Sequence, residues 1–240
     1  MFDLLPSSVS YTFVFITALT FVMVVIIIGK SKILIHQKSI FFKVSGILIW
    51  LLIQALLALN GVYHQNTDVI PPPILLFGIA PIIMLFIILF IRQKGRQLID
   101  SLPLLWMTYI HLIRIPVELV LYWLSLYKAV PKLMTFEGID FDILAGLTAP
   151  FIAYFGSKKR TISRQNVLIW NFISLALLLN VVVIAFLSAP YPLQKLSFDQ
   201  PNLAVLNFPF CWLPTFIVPV VVLAHITSIR KLLQNSMTDS

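Results

Sequence analysis

The sequence predicts an all-α, polytopic membrane protein: one domain over residues 1–240, built as a bundle of seven transmembrane helices. Three observations lead there. The chain is 60% hydrophobic and 11% charged, where soluble domains carry about 25% charged residues. Apolar runs close to the roughly 20 residues needed to cross a bilayer recur along the whole length. Basic residues gather at alternate loops, which is the mark of a fixed orientation.

The spans follow in order. The first, about 9–29, comes after "MFDLLPSSVSYTF", which has no basic residue, and before Lys30 and Lys32. That order fits a start-anchor with its N-terminus outside rather than a cleaved signal peptide. The second and third runs cover about 44–62 and 73–91, and the fourth about 102–127. The fifth, about 142–157, is short and holds Gly146, Pro150 and Gly156. The sixth covers about 166–189, and the seventh, about 208–229, carries Pro209, Pro214 and Pro219. Proline removes a backbone donor and frees the carbonyl four residues earlier. In a membrane that carbonyl must find a partner or line a cavity, so the fifth and seventh spans point to a site. Gln54, Asn171 and Asn180 read as hydrogen-bonding groups between helices.

Orientation comes from the loops. One face holds Lys30, Lys32, Lys38 and Lys43, then Arg92, Lys94 and Arg96, then Lys158, Lys159, Arg160 and Arg164, then Arg230 and Lys231. The other holds Lys128, Lys132 and Lys195. This predicts an outside N-terminus, a cytoplasmic C-terminus and a multi-pass location in a cell membrane, the bacterial inner membrane. The net charge of +8 is then a topology signal, not a nucleic-acid surface. Tyr11, Tyr63, Tyr127, Tyr191 and Trp212 fall at outer ends, and Trp106, Tyr154 and Trp170 at inner ends, as interfacial belts would. Cys211 is the single cysteine, so no intrachain disulfide forms. The outer loops, 128–142 and 189–208, are long and acidic, and the second is expected to lie on the membrane or over the bundle mouth.

The fourth span contains "YIHLIRIPVELVLYW", residues 109–123. At about 100° per residue, His111, Arg114, Glu118 and Tyr122 form one stripe. A charged residue at the centre of such a helix costs about 2.5–3.5 kcal/mol, so the stripe is expected to face the interior. It reads either as an Arg114–Glu118 ion pair that fixes packing or as a ligand site. In the second reading Arg114 holds an anionic group, Glu118 tunes it, and His111 and Tyr122 complete the wall. His225 in the last span is a secondary candidate, as are Glu137, Asp140 and Asp142, whose carboxylates suit a hard cation. The H-E-x-x-H pattern is missing. The expectation is no metal site and no cofactor.

The leading expectation is a non-enzymatic protein that binds a small polar or amphiphilic ligand, such as a carboxylate, in an outward-open pocket for transport or sensing. The alternatives are an intramembrane enzyme acting on a lipid or isoprenoid, and a structural subunit. Membrane lipids are the expected surroundings, nucleic acid is not an expected partner, and oligomers are compatible with the sequence. Seven helices in this orientation are the topology of rhodopsins, but residues 208–229 contain no lysine for a retinal Schiff base. The stretches "RIPVELVLYWL", "LMTFEGIDFDILAGLTAP" and "FDQPNLAVLNFPFCWLP" resemble uncharacterised bacterial seven-helix membrane proteins. That resemblance implies the fold and supplies no activity.

Overall fold

The computed structural model describes residues 5–31 and 37–236, and among them it is all helix and loop. The predicted positions of both chain ends, and of Lys32, lie outside the described residues. Helix α1 covers Ser7–Gly29 and α2 covers Gln37–Leu59. Helix α3 opens with a π-helical stretch, Ile74–Ile79, and continues as Ala80–Ile91. A short helix α4, Gln93–Ser101, leads to α5. Helix α5 runs Leu104–Tyr109, tightens to a 3₁₀ turn at Ile110–Ile113, and resumes as Arg114–Leu126. Helix α6 is Asp142–Phe151 extended by π-helical Ile152–Lys158. Helix α7 is Arg164–Leu187, and α8 joins π-helical Leu213–Ile217 to Val218–Ser236.

Six of these helices are long and apolar enough to cross a membrane: α1, α2, α3, α5, α7 and α8. Their outward faces carry large apolar side chains such as Leu52, Leu56 and Met84, a surface suited to lipid rather than water. Helix α6 is the exception among the predicted spans. Its first residue, Asp142, meets Arg114, and its π-helical end packs beside Leu104–Tyr109. Arg114 lies ten residues from Leu104 and twelve from Leu126, or about 15 and 18 Å at 1.5 Å per residue. So α6 begins halfway along α5 and accompanies only its first half. The segment before it, 128–141, turns back into the bundle. Gly146 makes the close approach: a Cβ there would meet Ile115 Cγ1 at 2.8 Å and the His111 carbonyl at 3.3 Å.

The prolines account for the irregular turns. Pro81 frees the carbonyl of Phe77, and Gln54 Nε2 from α2 donates to it at 3.1 Å. Pro219 frees the carbonyl of Thr215, and Trp50 Nε1 donates to that at 2.8 Å. Each π-helical stretch of α3 and α8 therefore precedes a proline and is satisfied by α2. Gly78 lets these two stretches touch, since a Cβ there would meet Thr215 Cγ2 at 2.7 Å. Beyond this contact α3 leaves the bundle, and residues 80–91 include no buried side chain.

The main core joins α1, α5, α7 and α8, with the rings of Phe13 and Phe210 tilted against each other at 5.1 Å. At one end, Arg230 Nε and Nη2 hold both oxygens of Asp100 at 2.8 and 3.1 Å, which ties α4 to α8. At the other end the 189–208 segment folds over the bundle. The amides of Leu203 and Ala204 donate to the Ala129 carbonyl at 3.0 and 2.9 Å, and Gln200 Nε2 donates to the carbonyls of Ser125 and Val130. Of the two placements expected for this loop, it takes the one over the mouth.

Candidate functional site

The site grows from the centre of α5. Pro116 prevents regular helix from continuing back through Leu112, and the 3₁₀ turn at Ile110–Ile113 lies there. Arg114 and Glu118, one turn apart on the resumed helix, are 2% and 1% exposed. Arg114 is paired with Asp142, not with Glu118. Its Nε donates to Asp142 Oδ2 at 2.6 Å and its Nη2 to Asp142 Oδ1. Nη2 also donates to the Ser174 carbonyl of α7 at 2.9 Å, and Nη1 to His225 Nε2 of α8 at 3.2 Å. A guanidinium has five N–H groups, and these contacts use four. A carboxylate in the first turn of α6 is also favoured by the helix dipole.

The proton on His225 follows from its neighbours. Arginine only donates, so His225 Nε2 accepts and the ring proton sits on Nδ1. Nδ1 then donates to Asn171 Oδ1 at 3.0 Å, and Asn171 Nδ2 donates to the Val167 carbonyl at 2.9 Å. His111 stacks on His225 with ring centres 3.9 Å apart, and Trp170 meets His111 edge-on at 5.5 Å. Trp170, expected at the inner interface, is half-buried; its indole donates to Thr148 Oγ1 at 2.9 Å and its ring walls the two histidines. Neither ring nitrogen of His111 has a partner among the described residues.

Glu118 faces a different group. Its carboxyl lies within hydrogen-bonding range of Asp140, which is fully buried in the turn before α6. Asp140 Oδ1 accepts from the Asp142 amide at 2.9 Å. No donor from another described residue reaches Glu118 Oε2 or Asp140 Oδ2. Two carboxyls in this relation share a proton. Asp140 is pushed up to about 6, first by burial and further by the nearby charge of Asp142.

The predicted stripe is thus partly redistributed. His111, Arg114 and Glu118 do face the interior. Tyr122 leaves them and packs its ring on Phe136 at 4.8 Å. The predicted acidic trio also divides: Glu137 bonds Lys132 at 3.1 Å at the exposed surface, while Asp140 and Asp142 turn inward. No cluster of ligating side chains for a metal occurs among the described residues. Asp142, Asp140 and His225 move from secondary to central positions. Ser174 and Trp170 were not anticipated.

A cavity of about 420 Å³ adjoins this seam, within the range of about 300–1,000 Å³ typical of small-molecule sites. Arg114, Glu118 and Asp142 form its polar end. Its walls are apolar, formed by Ile82, Ile83 and Phe86 of α3, Leu178 and Val182 of α7, and Val221 of α8. Tyr191, Asn202 and Val205 of the covering loop close the other end. Tyr191 was expected in an interfacial belt, and it is 7% exposed. Burial raises its hydroxyl further above the usual tyrosine range, so it is neutral. The Tyr191 hydroxyl and Asn202 Oδ1 are unpartnered among the described residues.

Fold and site together define an α-helical protein with six helices long and apolar enough to cross a membrane and a buried ionic seam beside an apolar cavity. The chain belongs to the family described as a domain of unknown function, DUF8737, whose model matches residues 71–233. The matched stretch contains every residue of the seam. No curated protein and no solved structure matches the chain.

Proposed function

We propose that this protein is embedded in a cell membrane and binds a single-chain amphiphile, with the apolar tail in the cavity and the head at Glu118 and its neighbours. In this reading the chain crosses with its N-terminus outside and its C-terminus in the cytoplasm, and α6 serves as a seventh, half-length crossing. The alternation of basic loops supports that orientation. The observation that carries the binding reading is a cavity with apolar walls and ionisable groups at one end. The covering loop blocks approach from the outer face. The side between α3 and α7 is bounded by a helix that buries nothing over 80–91, so entry is sideways, from the lipid. Such a pocket serves the transport or sensing of a membrane component.

Photolabelling in nanodiscs tests this. Dodecanol bearing a tail diazirine should modify Leu178 and Val221, which are 3% and 1% exposed and reachable only through the cavity. Ala185→Trp, which fills the cavity, should remove those adducts. Adducts confined to outward residues such as Leu52 and Leu56 would overturn the reading. A second reading, catalysis on the bound amphiphile, draws on the Glu118–Asp140 pair, because two carboxyls sharing a proton can act as general acid and base. Chemical turnover of a lipid by the purified protein would favour it.

A further inference from the structure

The polar end of the cavity discriminates by charge. Arg114 is the cation there, and four of its five donors are taken by Asp142, the Ser174 carbonyl and His225. Its charge is cancelled by Asp142. Glu118 and Asp140 with one shared proton leave a single negative charge. The unmet polar group at this end is an acceptor, Glu118 Oε2. An anionic head would meet an arginine with one N–H left and its charge already cancelled, beside a like charge. A neutral head could donate but would leave the negative charge uncompensated. An ammonium supplies both the donors and the charge.

We infer that the cavity selects a single-chain primary amine, whose ammonium binds Glu118 and cancels the single negative charge that Glu118 and Asp140 carry between them. This rests on the amphiphile reading above and names its head group. The shared proton stays with the pair, on Asp140, and the ammonium cancels the one negative charge, on Glu118, which lines the cavity. The ammonium has three N–H donors to give. The groups facing Glu118 are few. Arg114 lies on its own helix, Asp140 and Asp142 on the segment entering α6, and His225 of α8 on the far side of Arg114 with His111 stacked on it. Helix α7 contributes the Ser174 carbonyl and Asn171, neither of which titrates.

Because the pair is negative only where Asp140 has ionised, amine binding strengthens as pH rises through about 6. Below the range where Asp140 titrates, about 6, the pair gains a second proton and loses its negative charge. Dodecylamine remains an ammonium throughout pH 5–8, as does any alkylamine with a lysine-like pKa of about 10.4. Over that interval its affinity should rise about tenfold, while that of dodecanol stays level.

Competition against the diazirine probe in nanodiscs is the test, with dodecylamine, dodecanol and dodecanoate as competitors. At neutral pH dodecylamine should displace the probe at a concentration at least about tenfold lower than dodecanol, with dodecanoate weakest. Glu118→Gln should remove the advantage of the amine over dodecanol. If that variant does not fold, the pH series on the unmodified protein still decides. Tightest binding by dodecanoate, or an amine affinity that is flat from pH 5 to 8, would overturn the head-group inference while leaving the cavity reading intact. Failure of all three to compete would instead remove the amphiphile reading itself.

Discussion

Arg114–Asp142 and Glu118–Asp140 lie one turn apart along α5, and only the first is complete within the protein. The guanidinium holds a carboxylate in two bonds and has a backbone carbonyl and a histidine for its remaining edges. The two carboxyls have each other and one backbone amide, and Glu118 reaches the edge of a cavity. Both pairs are buried, so burial does not tell a scaffold from a site. The difference is saturation. A buried charge whose partners are all present is fixed in place, and a buried acceptor still lacking a donor can take one from a ligand.

If the first pair is scaffold, breaking it should have the largest effect on stability. Arg114→Leu or Asp142→Leu leaves one buried charge alone, which costs about 3–5 kcal/mol. Arg114→Leu combined with Asp142→Leu should recover most of that loss, and Arg114→Leu combined with Glu118→Leu should not. Thermal unfolding of the purified variants in micelles measures both. Recovery by the Glu118 combination would make the intrahelical pair the real one and collapse the distinction between the two pairs.

Next in size is the bridge to α8. His225→Leu removes the acceptor of Arg114 Nη1 and leaves Asn171 Oδ1 without its donor. A hydrogen bond to a charged group contributes about 1.5–3 kcal/mol, and the lowered unfolding temperature should reflect a loss of that order. Gln54→Leu sharpens the same point away from the site. It strands the Phe77 carbonyl freed by Pro81 and the hydroxyl of Tyr63, which donates to Gln54 Oε1 at 2.6 Å. An unmet buried polar group costs about 1–3 kcal/mol. A neutral outcome would mean that α3 does not need α2 to tolerate its proline.

Much of the scaffold was legible and the partnerships were not. Six apolar runs of sufficient length, the interior stripe and the interhelical role of Gln54 and Asn171 follow from one-dimensional patterns, whereas Asn180 bonds the loop carbonyl of Ile139. Residue spacing on α5 placed Glu118 as the natural partner of Arg114, because neighbours four apart on a helix meet. The actual partner is 28 residues away and arrives by a chain reversal that periodicity does not encode. One signal did point to it. The fifth apolar run is too short to cross a bilayer fully, so one of its ends had to lie inside, and Asp142 stands at that end. Tyr122 was misassigned for a related reason: the stripe continues along α5, but opposite Tyr122 stands Phe136 rather than the seam. Pro81, in a run otherwise read as uninterrupted, marks the irregular start of α3.

The pH dependence of folding isolates the second pair. Burial raises Asp140 from 3.8 to about 6, so between those values the folded protein keeps a proton that the unfolded chain has released. The contribution of Asp140 itself to stability is therefore greatest below about pH 4, falls as pH rises toward about 6, and levels off above it. Asp140→Asn should flatten that slope between pH 4 and 6. An unchanged slope would assign it to other groups and leave Asp140 as an ordinary acid.

The smallest expected change in stability comes from Glu118→Gln, and its smallness is the point. The amide keeps the shape of the carboxyl, and its N–H can donate to Asp140 Oδ2, which no other described residue reaches. The proton shared by the pair is thus replaced by a fixed donor, and no buried charge is stranded. The unfolding free energy should stay within about 0.5 kcal/mol of the parent, the range of substitutions that disturb no buried network. Arg114→Leu, one turn away, should cost several times more. If Glu118→Gln were as damaging as Arg114→Leu, Glu118 would belong to the saturated scaffold, and the contrast between a complete pair and an open one would fail. If it is silent in unfolding yet abolishes the preference for an amine over an alcohol, Glu118 belongs to the ligand and not to the fold.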